Sequence, residues 1–282
     1  MKKTYSFIIV SILLLANSIL LAANYDDRKW IDALPKPWTL TPKQIDEILP
    51  QFHQKFPDFK SRLNAIAHWR IDTPYQIFKL GEAKLPDTDP IFRLDVSDCT
   101  GHILTSLSLA QSQSWQEAEQ NMIALHYKAD KQGNKYPDYK LRWHYTSDRI
   151  LNHPSTPNIS DQIALESLMT SQTITLNQKE NGSENLDLDW TLNANIKYIP
   201  SAQIKPELLN KLPALSGVAF VKPDYFKIGV LVAHEGMVID GKYLLHASQL
   251  DGKTIKVDFM SYYFNNDKPR FAGILLYDFK PL

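Results

Sequence analysis

The order in which two periodicities occur constrains the fold of this 282-residue chain more than any single residue does. In the first half, apolar residues recur at helical spacing. Thr41 stands as an N-cap before Pro42, and Ile45, Ile48, Leu49 and Phe52 follow on one face. Pro50 is expected to bend or end that helix. Asp58 caps a second run whose inner face is Phe59, Leu63, Ile66 and Ala67. Ser114-Trp115-Gln116-Glu117 is a capping-box pattern opening a helix to about Tyr127. From Thr173 the pattern turns to strands, at 173–176, 186–199, 218–221, 228–234, 242–245, 254–259 and 271–279. Helices first and strands later indicate an α+β fold with N-terminal helices packed on an antiparallel sheet. No Ser-, Gly- or Pro-rich linker divides residues 24–282, which read as one domain with 24–70 as helical support.

Residues 1–23 read as a secretory signal. Lys2-Lys3 supplies charge, Phe7 to Leu21 is mostly apolar, and Ala22-Ala23 offers small residues for cleavage. The apolar run is shorter than the ~20 residues of a membrane span, so no stable span is expected in the mature chain. An exported, periplasmic protein is the expectation. The 31 basic and 31 acidic residues balance, which gives nucleic acid no clustered charge to bind.

Export changes how Cys99, the only cysteine, is read. It cannot pair within the chain, so it is either an inert buried thiol or a reactive one. Ser97 or Asp98 can cap the helix that follows, with Ile103, Leu104 and Leu107 toward the core. Cys99 then lies in a first helical turn, where the N–H groups and macrodipole are expected to lower its pKa. A thiol hydrolase also needs a histidine to take the proton and a group to orient that histidine. Six of the eight histidines stand alone or, like His102, are tied to the same helix as Cys99. His234 and His246 remain, flanking the hairpin signal Asp240-Gly241. Alternation of faces sets a condition on them. An even loop separates the two imidazoles across the sheet. A three-residue loop of Ile239-Asp240-Gly241, bulged at Gly241, sets His234 opposite His246 on one face. Arg142-Trp143-His144-Tyr145 reads either as a half-buried strand or as a pocket wall for a polar ligand.

Several of these elements resemble the NlpC-type cysteine peptidases of the cell wall, which have a papain-like core. They are Thr73-Pro74-Tyr75, Asp98-Cys99-Thr100-Gly101, His234-x-Gly236 and Leu245-His246-Ala247-Ser248. Leu80-Gly81-Glu82, the Trp115 helix, Arg142-x-His144-Tyr145 and Tyr198-Ile199-Pro200 are similar to the N-acetylmuramoyl-L-alanine amidase-like family within that group. That family carries insertions between the Cys helix and the His strands. The resemblance implies Cys99 as nucleophile, His234 as general base and His246 as the orienting residue. It places Tyr75 beside the thiol and Asp98 on a substrate amine or amide, with Arg142 and Tyr145 lining the cleft. It implies hydrolysis of a peptidoglycan amide through a thioester, with no metal or other cofactor. Three departures stand out: Glu235 where an apolar residue is usual, Ser216-Gly217-Val218 in place of a Gly-Asp turn, and Arg149 where an aromatic is common. The alternatives are a D-glutamyl–diamino-acid endopeptidase with the same three residues, a non-catalytic wall-binding protein, and, less favoured, a metal site built from Cys99, His234 and His246.

Overall fold

A computed structural model describes residues 26–282, so the leader expected at 1–23 lies outside the described residues. After helical residues 26–33 come α1 (Pro42–Lys55), α2 (Phe59–Trp69), α3 (Cys99–Ala110), α4 (Trp115–His126) and the shorter α5 (Thr146–Asn152). The caps read from sequence form. Thr41 makes a reciprocal box with Gln44, Asp58 accepts from Ser61 N–H, and Ser114 accepts from Glu117 N–H. Pro50 does not end α1. It sits on the exposed side, and α1 runs on to bury Phe52. An interior proline costs about 3 kcal/mol. Burying one Phe contributes about 1.5–3 kcal/mol, and the Phe52 ring also meets Trp30 at 5.0 Å and Trp69 at 5.2 Å.

The strands are β1 (Thr170–Leu176), β2 (Leu192–Pro200), β3 (Leu215–Val221), β4 (Val232–Ile239), β5 (Tyr243–Ser248), β6 (Lys253–Asp258), the small pair β7 (Phe264–Asn265) and β8 (Lys268–Pro269), and β9 (Gly273–Tyr277). Seven form one sheet in the order β1-β2-β9-β3-β4-β5-β6, every pairing antiparallel. The α+β expectation therefore holds. Arg142–Tyr145, however, makes only a single bridge, Tyr127↔Arg142, and is no strand. Period-two alternation sorts the central strands cleanly. Ala219, Val221, Met237, Ile239, Leu245, Leu275 and Tyr277 join the core shared with α1–α4. Val218, Phe220, Val238, Leu244, Ile274 and Leu276 face a second core closed by Leu208, Phe259 and Tyr263. Both faces are covered, which is why every residue of β3 and β9 is buried.

Thr73-Pro74-Tyr75 ties the helical half to the sheet. It bridges Lys253 on one side and Ser97 on the other, with Thr254 N–H on Thr73 O at 2.9 Å and Ser97 N–H on Pro74 O at 2.9 Å. The start of α3 is thereby fixed against the β6 edge.

Candidate active site

Cys99 is the first residue of α3. The N-cap is Asp98: its Oδ1 accepts Gly101 N–H at 2.7 Å and its Oδ2 accepts Phe78 N–H at 2.9 Å. Such a cap contributes about 1 kcal/mol to the helix. Both carboxylate oxygens are thus engaged by backbone. The half-buried thiol has Tyr75, Tyr262 and Asp98 around it.

The helix-start position does not lower this thiol's pKa. Burial pushes Cys99 up to about 12, and the carboxylates of Asp98 and Glu235 add to the rise. The backbone of Glu235 and of Thr100 favours the thiolate, but burial outweighs both. The expectation of a depressed thiol is therefore corrected. The macrodipole effect of under ~1 kcal/mol is smaller than the desolvation of the anion.

On the sheet, His234 Nε2 lies 2.8 Å from His246 Nδ1. The two imidazoles share a face as expected, with the cross-strand pairing offset by two residues and the loop by one. The ladder pairs Met237↔Leu245, Val238↔Leu244 and Ile239↔Tyr243, leaving three residues, Asp240-Gly241-Lys242, between the strands. Asp240 and Gly241 are both left-handed (φ 53° and 58°), and Lys242 N–H closes on Ile239 O at 3.1 Å. The extra residue is Lys242, not Ile239. In this register Gly236, rather than His234, lies across from His246. A Cβ at 236 would stand 3.0 Å from His246 Cβ and 2.7 Å from Leu244 Cδ1. The missing side chain lets the His246 ring lean diagonally to His234. Phe220 stacks on His234 at 5.8 Å and 14°, and Tyr262 lies 4.6 Å from His246. Burial holds His234 down to about 3 and His246 to about 4, so both rings are neutral at rest. Nε2 of His246 is buried without a partner.

By alternation the two imidazoles face away from the helical core, yet they share a cleft with Cys99. Pairing of β4 with β5 stops at Met237↔Leu245, and the backbone of Glu235 beyond it acts on the thiol, favouring the thiolate. The Glu235 side chain meanwhile turns to the helical side and is fully buried. Its Oε1 accepts from Thr100 Oγ1 at 2.8 Å and Thr146 Oγ1 at 3.0 Å; its Oε2 accepts from Arg149 at 2.5 Å and Tyr277 OH at 2.6 Å. The two residues that stood out singly as departures, Glu235 and Arg149, are each other's partners.

The cleft encloses about 1380 Å³, and all seven nominated residues line it: Tyr75, Asp98, Cys99, Arg142, Tyr145, His234 and His246. Besides Asp98, two of them are already occupied. Arg142 gives Nε and Nη2 to Glu82 at 2.7 and 2.6 Å and reaches Asp87 at 2.9 Å. Tyr145 OH donates to Asn177 Oδ1 at 2.8 Å. Of the two readings of this cluster, wall and strut apply and strand does not. Sequence reasoning missed Tyr262 and Arg270, which also line the cleft. They lie in and just past a short helix (Phe259–Tyr263) and β8, where no motif marks them. Among the described residues no three His, Cys, Asp or Glu side chains have metal-binding geometry. The imidazole nitrogens that face each other are engaged with one another.

A family model described as N-acetylmuramoyl-L-alanine amidase-like matches residues 65–273. No curated protein matches the chain. Several solved structures do. A Legionella pneumophila protein of the DUF1460 family is 19% identical over 86% of this chain and 97% of its own, with a TM-score of 0.66. An N-acetylmuramoyl-L-alanine amidase from Bacteroides uniformis is 18% identical over 77% and 98%, with a TM-score of 0.57. A Bacteroides fragilis protein described provisionally as a xylanase is 20% identical over 76% and 99%, with a TM-score of 0.55. Identities this low establish a shared fold and nothing finer about chemistry.

Proposed function

The chain belongs to the N-acetylmuramoyl-L-alanine amidase-like family, and on that premise we propose that it is a cysteine hydrolase of peptidoglycan amide bonds with an NlpC-type, papain-like core. Cys99 is the nucleophile, His234 the general base and His246 the residue that orients it. One observation supports this most. The 2.8 Å contact engages His234 Nε2 with His246 Nδ1, which leaves His234 Nδ1 for the cleft that Cys99 also lines.

The tautomers follow from that contact. For Nδ1 of His234 to accept a proton, its Nε2 must carry one and donate it to His246 Nδ1. The His246 proton then sits on Nε2. With the thiol at about 12 and the imidazoles at about 3 and 4, no ion pair exists at rest. The proton leaves sulfur as sulfur attacks, so His234 acts as a general base rather than as a preformed imidazolium. Sγ adds to the amide carbonyl carbon, and the Cys99 N–H at the start of α3 is available to the oxyanion. The tetrahedral adduct collapses as His234 protonates the leaving amine, giving a thioester. Water, deprotonated by His234, then releases the carboxylic acid and restores the thiol. Tyr75 and Tyr262, both raised to about 12, remain protonated donors beside the sulfur. The substrate is a wall peptide stem, cut between the lactyl group and L-alanine, and residues 24–282 act as one domain exported to the periplasm.

The test is digestion of purified peptidoglycan and of muropeptides by the wild type and by Cys99→Ala, with mass analysis of the products. Stems beginning at L-alanine, at least ~10³-fold slower with Cys99→Ala, are expected. Products split after D-glutamate would replace the amidase with the endopeptidase. Equal activity of the two proteins would remove Cys99 from the mechanism, and no product from either would leave a binding protein.

A further inference from the structure

We propose that Arg270 is a carboxylate anchor of the cleft, so that the preferred substrate is an acidic peptide bearing a free carboxylate close to the bond that is cut. The inference rests on the hydrolase reading above and deepens it.

Arg270 follows β8 and reaches back over the Phe259–Tyr263 helix. Its backbone N–H bonds Tyr263 O at 3.0 Å and its Nη1 donates to Tyr262 O at 3.1 Å. The guanidinium lies 4.5 Å from the Tyr262 ring centroid and 5.7 Å from that of Phe271. The same Tyr262 ring is 4.6 Å from His246 and 6.1 Å from His234. One aromatic ring therefore separates the cation from the imidazole pair. Its charge is felt at both rings and helps keep them neutral.

The other cleft arginine differs. Arg142 is buried and bonded to two carboxylates, so it has little left to offer a ligand. Arg270 is exposed, and among the described residues no Asp or Glu lies within 4.0 Å of it. A carbonyl at Nη1 and a ring against its face hold the fork still, while Nε and Nη2 remain for a ligand. A stacked, held guanidinium suits planar bidentate recognition of a carboxylate and loses little side-chain freedom when it binds one. Asp98 and Asp251 line the same cleft, together with Tyr75.

The measurement uses a matched pair of wall peptides, one with the free carboxylate and one with that group as carboxamide. The kcat and KM of the wild type, Arg270→Lys and Arg270→Gln are read on both, and affinities for both are read by calorimetry. Losing a charge-assisted bidentate contact weakens binding by roughly 10- to 100-fold. The wild type is expected to favour the acid by that factor, chiefly through KM. Arg270→Gln should lose the preference, its affinities and KM values for acid and carboxamide converging, and Arg270→Lys should keep part of it. A wild type that treats the pair alike, or an Arg270→Gln variant that still prefers the acid, overturns the anchor. Calorimetry separates the two ideas. Acid-selective binding lost in Arg270→Gln, with no turnover by any variant, would retain the anchor and discard the hydrolase.

Discussion

Arg142 and Arg149 stand seven positions apart on one segment and make two clamps of the same chemistry in different surroundings. Arg142 grips Glu82 and Asp87, holding the loop before α3 to the end of α4, with Tyr127 OH on the same carboxylate at 3.1 Å. Arg149 grips Glu235 and, through that carboxylate, gathers Thr100 of α3, Thr146 of α5 and Tyr277 of β9. The first clamp is nearer water and redundant: Glu82 is sealed, but side-chain exposure is 11% for Arg142 and 23% for Asp87, and two acids share one cation. The second is sealed, at 1% and 0%, with one acid, while Nε and Nη1 of Arg149 are buried and unpartnered. Desolvation rather than attraction dominates a sealed pair, so it is needed as a pair and tolerates no half. The outer clamp fixes a cleft wall; the inner one fixes the strand that carries His234.

This contrast can be broken by substitution. Glu235→Ala is expected to cost about 3–5 kcal/mol, because Arg149 is left buried and uncompensated; denaturant midpoints read it, and a loss under ~1 kcal/mol would mean that water enters the knot. Arg142→Ala should cost less, about 2–3 kcal/mol, and Asp87→Ala under ~1 kcal/mol, since Glu82 remains bidentate and Asp87 is partly exposed. Should the outer variants prove the costlier ones, the distinction between sealed and redundant clamps is wrong. Thr100→Val removes one hydrogen bond to Glu235 and should cost about 0.5–1.5 kcal/mol.

Acid sharpens the comparison. Burial holds His68, His144 and His153 down to about 4, and the charge of Arg142 contributes at His144. The unfolded chain takes up protons at the ordinary value near 6.5 while the native one resists until about 4. Stability is therefore full above about 6.5 and falls as the pH drops toward 4. In Arg142→Ala the His144 ring, read by NMR titration, is expected to move up toward 6.5. The smallest effect concerns the thiol. With Cys99 near 12, iodoacetamide should label the free protein slowly at pH 7 and faster as the pH rises. Rapid labelling at neutral pH would show a thiolate already formed.

Much of this was legible because it is local. Caps at Thr41, Asp58 and Asp98 and the alternation of the strands depend on neighbours a few positions apart. The same-face condition on His234 and His246 is also local, and it held even though Asp240 shares the left-handed turn and moves the extra residue to Lys242. What the chain hid is tertiary. Arg149 and Glu235 are 86 positions apart, and each alone looks like an oddity. Nothing near Arg142 announces Glu82 and Asp87, so a strut was read as a candidate ligand grip. Pro50 was misjudged because the burial of Phe52 beyond it depends on Trp30 and Trp69, which only the fold brings near. The thiol's pKa was misjudged for a related reason: a first-turn position is visible in sequence, but the burial that overrides it is not.

The three-residue connection at Asp240-Gly241-Lys242 makes the hairpin intolerant of small changes in length. Deleting or adding one residue there inverts the facing of β5 relative to β4. Leu245 would leave the helical core, Leu244 would leave the opposite one, and the His246 ring would part from His234, all in one step. A change of two residues preserves the facing and moves only the rim. Length variation in this hairpin is therefore permitted in even steps alone, and a single-codon deletion should abolish the fold and the imidazole pair together.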